Sequence, residues 1–358
     1  MIKILYVVNS LKSGGPINQL FNLISNLDKS SFKASILILT NQINEAERER
    51  FEAVTDHLII SSGSIINLQK HRLKIKQFIN SISPDIVHSQ GIISDIITFT
   101  ISFKARWVIT SHNFPFEDYP MKFGLLKGYL MALAHSFAQK KCPHTIACSK
   151  SIEHKLKTIG INSIAIQNGV SNPHVSKEKN PDLKVHTDFI AVGSLIPRKN
   201  MRQLIEVFNF ASKNKYDIGN LIILGDGPEY HYLKKNSCDK INVLGAKKDV
   251  YQYLNKSKIY ISFSKSEGLP MSALEALSIG LPLILSNIPA HFEIYESCPN
   301  SVELIDINLD HQKLLESLVL AKNKFENYDS QKSIDKYEAY FSSKAMTENY
   351  QFYYKSIV

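Results

Sequence analysis

The sequence predicts an α/β protein built of two doubly wound, Rossmann-like domains facing a central cleft. Three observations predict it. Apolar strand-like runs alternate with helix-spaced runs in both halves, the first run meets a glycine-bearing loop, and a polar, Pro-containing stretch at 171–187 separates the halves. A chain of 358 residues, 44% hydrophobic and 21% charged, suits two folded domains of ordinary size. The expected first domain is 1–170, the linker 171–187 and the second domain 188–335.

Residues 2–8 form an apolar strand, 9–16 (NSLKSGGP) a loop, and 17–27 a helix with Ile17, Leu20, Phe21, Leu23, Ile24 and Leu27 at helical spacing. Gly14 and Gly15 let a backbone approach a ligand closely in such a strand–loop–helix unit. Strands follow at 34–39 and 56–60. The spacing then predicts a helix over 65–82 whose outer face carries Lys70, His71, Arg72, Lys74 and Lys76. That cluster reads either as a membrane-surface face or as a solvated one. Strands at 84–90 and 107–110 come next. His112 follows the second of these directly, which puts it at the carboxyl edge of a parallel sheet, where ligands bind in such folds. His88 has a similar strand-end position. Residues 121–141 are apolar on more than one face with lysines at 122, 127, 140 and 141, fitting a membrane interface, a lid or a buried helix. A strand at 145–148, a helix at 149–159 and a strand at 164–167 lead to Asn168-Gly169-Val170.

The second series begins with a strand at 189–192, running into Gly193-Ser194-Leu195-Ile196-Pro197-Arg198-Lys199-Asn200 and a helix over 201–212. A strand at 221–224 meets Gly225-Asp226-Gly227. Tyr230 stands where a dinucleotide fingerprint would need its third glycine. Residues 243–245 make the next strand and turn, and 258–263 another strand. After it come a loop at 264–270 and a short apolar helix over 271–279, with Pro270 at its start and Gly280 past its end. The loop carries Glu267, and the helix carries Glu275. A carboxylate on so apolar a helix needs a partner, and the free amides at the helix start favour an anion or a hydroxyl-rich ligand. Residues 282–286 form the following strand.

Composition narrows the classes. Residues 1–180 hold 21 Lys and Arg against 12 Asp and Glu, whereas 181–358 hold 21 of each, so the whole excess of +9 lies in the first half. Such asymmetry suits an anionic partner surface, or serves solubility alone. The basic residues lack interleaved aromatics and any reading module, which speaks against nucleic acid. Four cysteines without C-x-x-C spacing suit a reducing cytoplasm and no zinc site. The opening residues read as a strand and not a signal peptide. No run approaches a membrane span, since Asp95 interrupts 92–103.

Ser266-Glu267-Gly268-Leu269-Pro270 followed by Glu275 resembles the E-x7-E signature of retaining glycosyltransferases of family 4, whose fold is GT-B. Asp85-Ile86-Val87-His88, Asn168-Gly169-Val170 and Gly225-Asp226-Gly227-Pro228 resemble other motifs of that family. The resemblance implies a nucleotide-sugar donor, UDP by family frequency, and a terminal helix (336–358, core 345–354) returning to the first domain. It implies that Glu275 binds the ribose, and that Glu267 with the Gly268, Leu269, Pro270 and Met271 segment holds the sugar. His112 would contact that sugar, Gly14 and Gly15 would approach the diphosphate and acceptor, and Gly225 would lie on the nucleotide side. Lys199 matches the diphosphate-binding lysine. Ser194 replaces the family's arginine, and Arg198 is the candidate substitute. The implied transfer is a front-face reaction that retains configuration without cofactor or essential metal, and the sequence has no D-x-D pair. The basic first half and residues 121–137 point to a lipid-linked or growing bacterial surface polysaccharide acceptor (capsule, O-antigen or exopolysaccharide), used at the cytoplasmic membrane face. Two alternatives stand: a nucleotide-sugar epimerase or hydrolase of the same fold, and a catalytically silent nucleotide-sugar-binding subunit.

Overall fold

The computed structural model describes residues 1–60, 68–172 and 187–358, with the side chains of 68–71 excepted. The linker residues 173–186, the start of the 65–82 helix and the side chains of Lys70 and His71 therefore lie outside the described residues.

The chain divides into two compact units, Met1–Gly169 with Ser343–Val358, and Val170–Ser342. Among the described residues the first unit holds seven strands: β1 (Ile2–Val8), β2 (Phe32–Ile38), β3 (His57–Ile60), β4 (Ile86–Gln90), β5 (Arg106–Ser111), β6 (His144–Ala147) and β7 (Ser163–Ala165). They pair in parallel in the order β3-β2-β1-β4-β5-β6-β7. The order reverses beside β1, which creates a crevice at the carboxyl ends of β1 and β4. Strands buried on both faces become nearly continuous apolar runs, and Ile4 to Val8 of β1 are all buried.

The second unit holds six: β8 (Thr187–Val192), β9 (Leu221–Leu224), β10 (Ile241–Val243), β11 (Ser257–Ser262), β12 (Leu283–Ser286) and β13 (Val302–Ile305), ordered β10-β9-β8-β11-β12-β13 and again parallel. Here the order reverses between β8 and β11. Helices 201–213 and 311–324 build the core on one face, and helices 271–278 and 330–340 build it on the other. Each unit is thus a doubly wound α/β domain, as the alternation of runs predicts.

Two expectations are corrected. The 121–141 run is not one helix: Gly124, at φ +83, separates Pro115–Phe123 from Leu125–Lys141. Only glycine enters that region without strain. The terminal segment also divides later than residue 336. Helix Ser330–Tyr340 stays with the second unit, where Tyr337 is buried and donates to the Val170 carbonyl at 2.5 Å. Helix Ser343–Ile357 alone packs on the first sheet, burying Met346, Tyr350 and Tyr354 there. His88 belongs to that packing. Its Nδ1 lies 2.7 Å from the Tyr354 hydroxyl and its Nε2 2.8 Å from Thr110 Oγ1, so both ring nitrogens are satisfied inside the core.

Candidate active site

In the second unit the loops that leave β8, β9 and β11 meet at the carboxyl end of the sheet. The β8 loop passes Gly193 and makes a tight 3-10 turn at Pro197–Lys199. It then enters helix Met201–Lys213 through Asn200 at φ 54, ψ 34. Asn tolerates this left-handed conformation better than most side chains. Adjacent side chains in regular structure point apart, but this turn sends Arg198 and Lys199 to one carboxylate. Arg198 Nη1 donates to Glu267 Oε2 at 2.9 Å, and Lys199 Nζ stands 2.6 Å from Oε1. Arg198 also donates to the Ser266 carbonyl at 2.5 Å, and its own carbonyl accepts from the Lys265 amide at 2.9 Å.

Glu267 is buried. Burial alone pushes its carboxyl up, but the charges of Lys199 and Arg198, with hydrogen bonds from Lys199 and Ser264, outweigh that effect and bring it down to about 2. The group is a fixed anion holding two cations in place.

The Lys199 stem runs over Gly193, where a Cβ would come within 3.2 Å of its Cε. Gly225, at φ +149, is constrained further: a Cβ there would overlap the Gly193 carbonyl oxygen, and its amide donates to the Gly245 carbonyl at 3.0 Å. Gly225, which the family resemblance puts on the nucleotide side, joins the loops after β8, β9 and β10. Gly225→Ala is therefore expected to destabilise the second unit by more than about 3 kcal/mol, through overpacking and backbone strain together. Urea titration of the purified variant measures it.

Glu275 is in a different position. It sits on helix Met271–Ser278, half-buried, and among the described residues no side chain donates a hydrogen bond to its carboxylate and no cation pairs with it. Burial raises its pKa to about 7. The expectation that the carboxylate on this helix has a partner is thus not met among the described residues; the partnered carboxylate is Glu267 in the preceding loop. Tyr251 and Tyr260 both feel its charge. Pro270 is the N-cap of this helix and provides no side-chain cap. Gly268, Leu269 and Pro270 are buried beneath it, Met271 partly so. Ser194, at the position of the missing arginine, is exposed.

His291 was not picked out by sequence reasoning. It lies on helix Pro289–Ser297 after β12, wholly buried, with Nδ1 2.8 Å from the Ser286 carbonyl. Burial drives its pKa down to about 4, against the pull of nearby Glu267. The signal that singled out His112, a histidine soon after a buried strand, applied to His291 equally.

His112, Gly14 and Gly15 belong to the first unit. His112 follows β5, partly buried, with Nε2 3.1 Å from Gln90 Oε1 at the end of β4. Burial brings its pKa to about 4, so the ring is neutral at pH 7. Gly14 is the N-cap of helix Gly15–Ser25, both glycines are exposed, and a Cβ on Gly14 would meet nothing nearer than the Lys12 carbonyl oxygen at 4.0 Å. The protein's own packing does not demand a glycine there.

Two family models match the chain: Glycosyltransferase Family 4 over residues 13–172, and Glycosyl transferases group 1 over residues 175–320. The O-antigen biosynthesis glycosyltransferase WbnH of Escherichia coli is 30% identical over 306 residues, covering 82% of this chain and 80% of that one. An Escherichia coli UDP-Gal:alpha-D-GlcNAc-diphosphoundecaprenol alpha-1,3-galactosyltransferase is 28% identical over 250 residues, 63% of each. Among solved structures, Anabaena Alr3699/HepE in complex with UDP-glucose superposes with a TM-score of 0.81 at 15% identity over the full length of both chains. That likeness shows the GT-B fold.

Proposed function

Because the chain belongs to the family 4 glycosyltransferases, we propose that it moves a hexose from a UDP-sugar to a lipid-linked acceptor of a bacterial surface polysaccharide, with retention at the anomeric carbon. The observation that carries this reading is the convergence of Arg198 and Lys199 on buried Glu267, followed on the next helix by Glu275, which has no cation partner among the described residues. In the second unit the donor diphosphate would lie against Lys199 and Arg198, whose charges stabilise the negative charge that grows as the sugar–phosphate bond breaks. Glu275 would accept from the ribose hydroxyls. Glu267 and the segment Gly268–Met271 would hold the sugar. In the first unit, neutral His112 would hydrogen-bond a sugar hydroxyl, and Gly14 and Gly15 would let the diphosphate approach. The acceptor hydroxyl attacks from the face the phosphate leaves. One C–O bond forms as the other breaks, and the departing phosphate oxygen takes the hydroxyl proton. Side-chain cations serve where other enzymes use a metal, so transfer is expected to persist in EDTA.

The names of the relatives support UDP and a lipid diphosphate: one acts from UDP-Gal on a diphosphoundecaprenol acceptor, one serves O-antigen biosynthesis, and HepE binds UDP-glucose. The test is a thermal-shift panel of UDP-, GDP-, ADP- and dTDP-sugars on the wild type and Glu275→Ala, then transfer to short-chain lipid-diphosphate acceptors. A rise in midpoint with UDP-sugars only, lost in the variant, and product with retained configuration support the reading. Turnover without acceptor would identify a hydrolase or epimerase instead. Donor binding with no turnover on any acceptor would make the chain a silent subunit.

A further inference from the structure

Helix Leu125–Lys141 is packed inside out. Gly128, Ala132, His135, Ala138 and Gln139 face the first unit and are buried. Its large apolar side chains face away: Leu126 is 80% exposed, Leu130 60%, Leu133 58% and Phe137 54%. Their spacing of four, three and four residues puts them on one stripe. Tyr129, and Met121 and Phe123 on the preceding helix, extend it.

The helix cannot rotate to bury that stripe, because polar contacts fix its inner face. His135 Nε2 lies 2.7 Å from Oδ2 of wholly buried Asp95, and its Nδ1 lies 2.7 Å from the Tyr119 hydroxyl. Gln139 donates to Ser111 Oγ at 3.0 Å. A Cβ on Gly128 would overlap the Pro120 backbone, so the two helices meet there at the closest possible approach. Turning the helix would leave the buried Asp95 carboxyl without its His135 partner. The exposed stripe is therefore a stable feature of the fold, and it is larger than chance scatter of surface apolar residues.

We infer that this stripe is a docking face for an anionic phospholipid bilayer, lying in the plane of the interface. The charge pattern selects that occupant. Leu125–Lys141 carries Lys127, Lys140 and Lys141 and no acid, and Lys122 flanks it. Lys141 stands over the Phe137 ring at 5.7 Å, and Lys122 over Phe123 at 5.3 Å, so apolar body and cationic edge are adjacent. The nearest acids in sequence, Glu117 and Asp118, lie on the other helix, where Glu117 is paired with Lys155. A two-fold contact between copies would bring these lysines towards one another with no acid on the helix to meet them; a negatively charged lipid surface meets them all. Among the described residues no helix is long and apolar enough to cross a membrane, so the face would lie on the bilayer. This deepens the proposed function and rests on it for its purpose, bringing the enzyme to a lipid-linked acceptor.

The test is co-sedimentation of the full chain with vesicles free of acceptor and donor. Wild type is expected to bind phosphatidylglycerol/phosphatidylcholine vesicles, more weakly as salt rises, and to leave pure phosphatidylcholine vesicles in solution. The variant with Leu126, Leu130, Leu133 and Phe137 all changed to serine is expected to lose binding at least tenfold. Changing Lys127, Lys140 and Lys141 to glutamine should cost about fivefold per lysine. Both variants should stay folded with cooperative melts; the lysine variant should keep the wild-type midpoint, and the serine variant should lose only what the edge-to-face contact of Phe137 with Phe99 contributes. Equal binding by wild type and variants, or none by wild type, overturns the inference. So does a wild-type dimer in light scattering that the serine variant abolishes. Transfer to a short water-soluble acceptor separates the two ideas: loss of that transfer with vesicle binding intact sinks the glycosyltransferase reading and leaves the docking face standing.

Discussion

Lys199→Ala is expected to lower the turnover of sugar transfer by roughly a thousandfold, with a much smaller change in donor KM. Removing one preorganised charge aimed at a developing anion costs about 10²–10³ in rate, and a lysine that acts chiefly as the phosphate departs affects kcat more than binding. The fold should survive, because Arg198 still pairs with Glu267 at 2.9 Å. Glu267→Gln should behave in the opposite way. It leaves Arg198 and Lys199 crowded together without a counter-charge in a buried site, which costs about 3–5 kcal/mol. Added UDP should recover part of that loss, because its diphosphate supplies the missing negative charge.

The wild type carries the same information in its acid stability. The Glu267 carboxyl titrates at about 2 in the folded state against an ordinary 4.5. Its stabilisation is therefore complete above about pH 4.5 and fades as pH falls towards 2, by about 3 kcal/mol in all. Urea midpoints measured from pH 5 down to 2.5 should drop more steeply for wild type than for Glu267→Gln. Parallel curves would mean that the two cations do not hold Glu267 ionised.

Glu275→Gln should make the unliganded protein more stable while weakening UDP binding about 10- to 100-fold. The Glu275 carboxyl titrates near 7 in the folded state against an ordinary 4.5 because burial disfavours its charge. Below about pH 4.5 folded and unfolded forms are both protonated, and the group is neutral to stability. Between about 4.5 and 7 the unfolded chain loses this proton first, so wild-type stability declines as pH rises, by about 3 kcal/mol, and is flat above about 7. Glutamine carries no proton to lose, so the variant's advantage should open across that window and be absent at pH 4. Binding should change the other way, since hydrogen bonds from the ribose hydroxyls to a charged acceptor contribute about 1.5–3 kcal/mol. Calorimetry with UDP at pH 8 and thermal melts at pH 4 and 8 measure both effects. Unchanged UDP affinity would remove Glu275 from the nucleotide site.

Much of this protein is determined locally. Each unit's strands alternate with helices because apolar spacing switches between periods of two and 3.6 along the chain, and glycine and proline punctuate the changes. The pair Glu267 and Glu275 is equally local: a strand, a loop and a helix start hold both near the end of β11 whatever surrounds them. His112 and His291 each follow a buried strand for the same reason. The tertiary structure decided which glutamate is charged. Arg198 and Lys199 reach Glu267 from 69 and 68 residues away, and no periodicity records that meeting. Among the described residues Glu275 has no cation beside it, so of the two glutamates it alone bears the full effect of burial. Asp95 interrupts an apolar run in the sequence, and only the fold shows that His135, 40 residues later, receives it. That pairing also settles which face of helix Leu125–Lys141 looks outward, which its sequence, apolar on several sides, leaves open. Periodicity is a property of one segment, whereas ionisation and the choice of buried face depend on the groups that a second segment brings within a few ångströms.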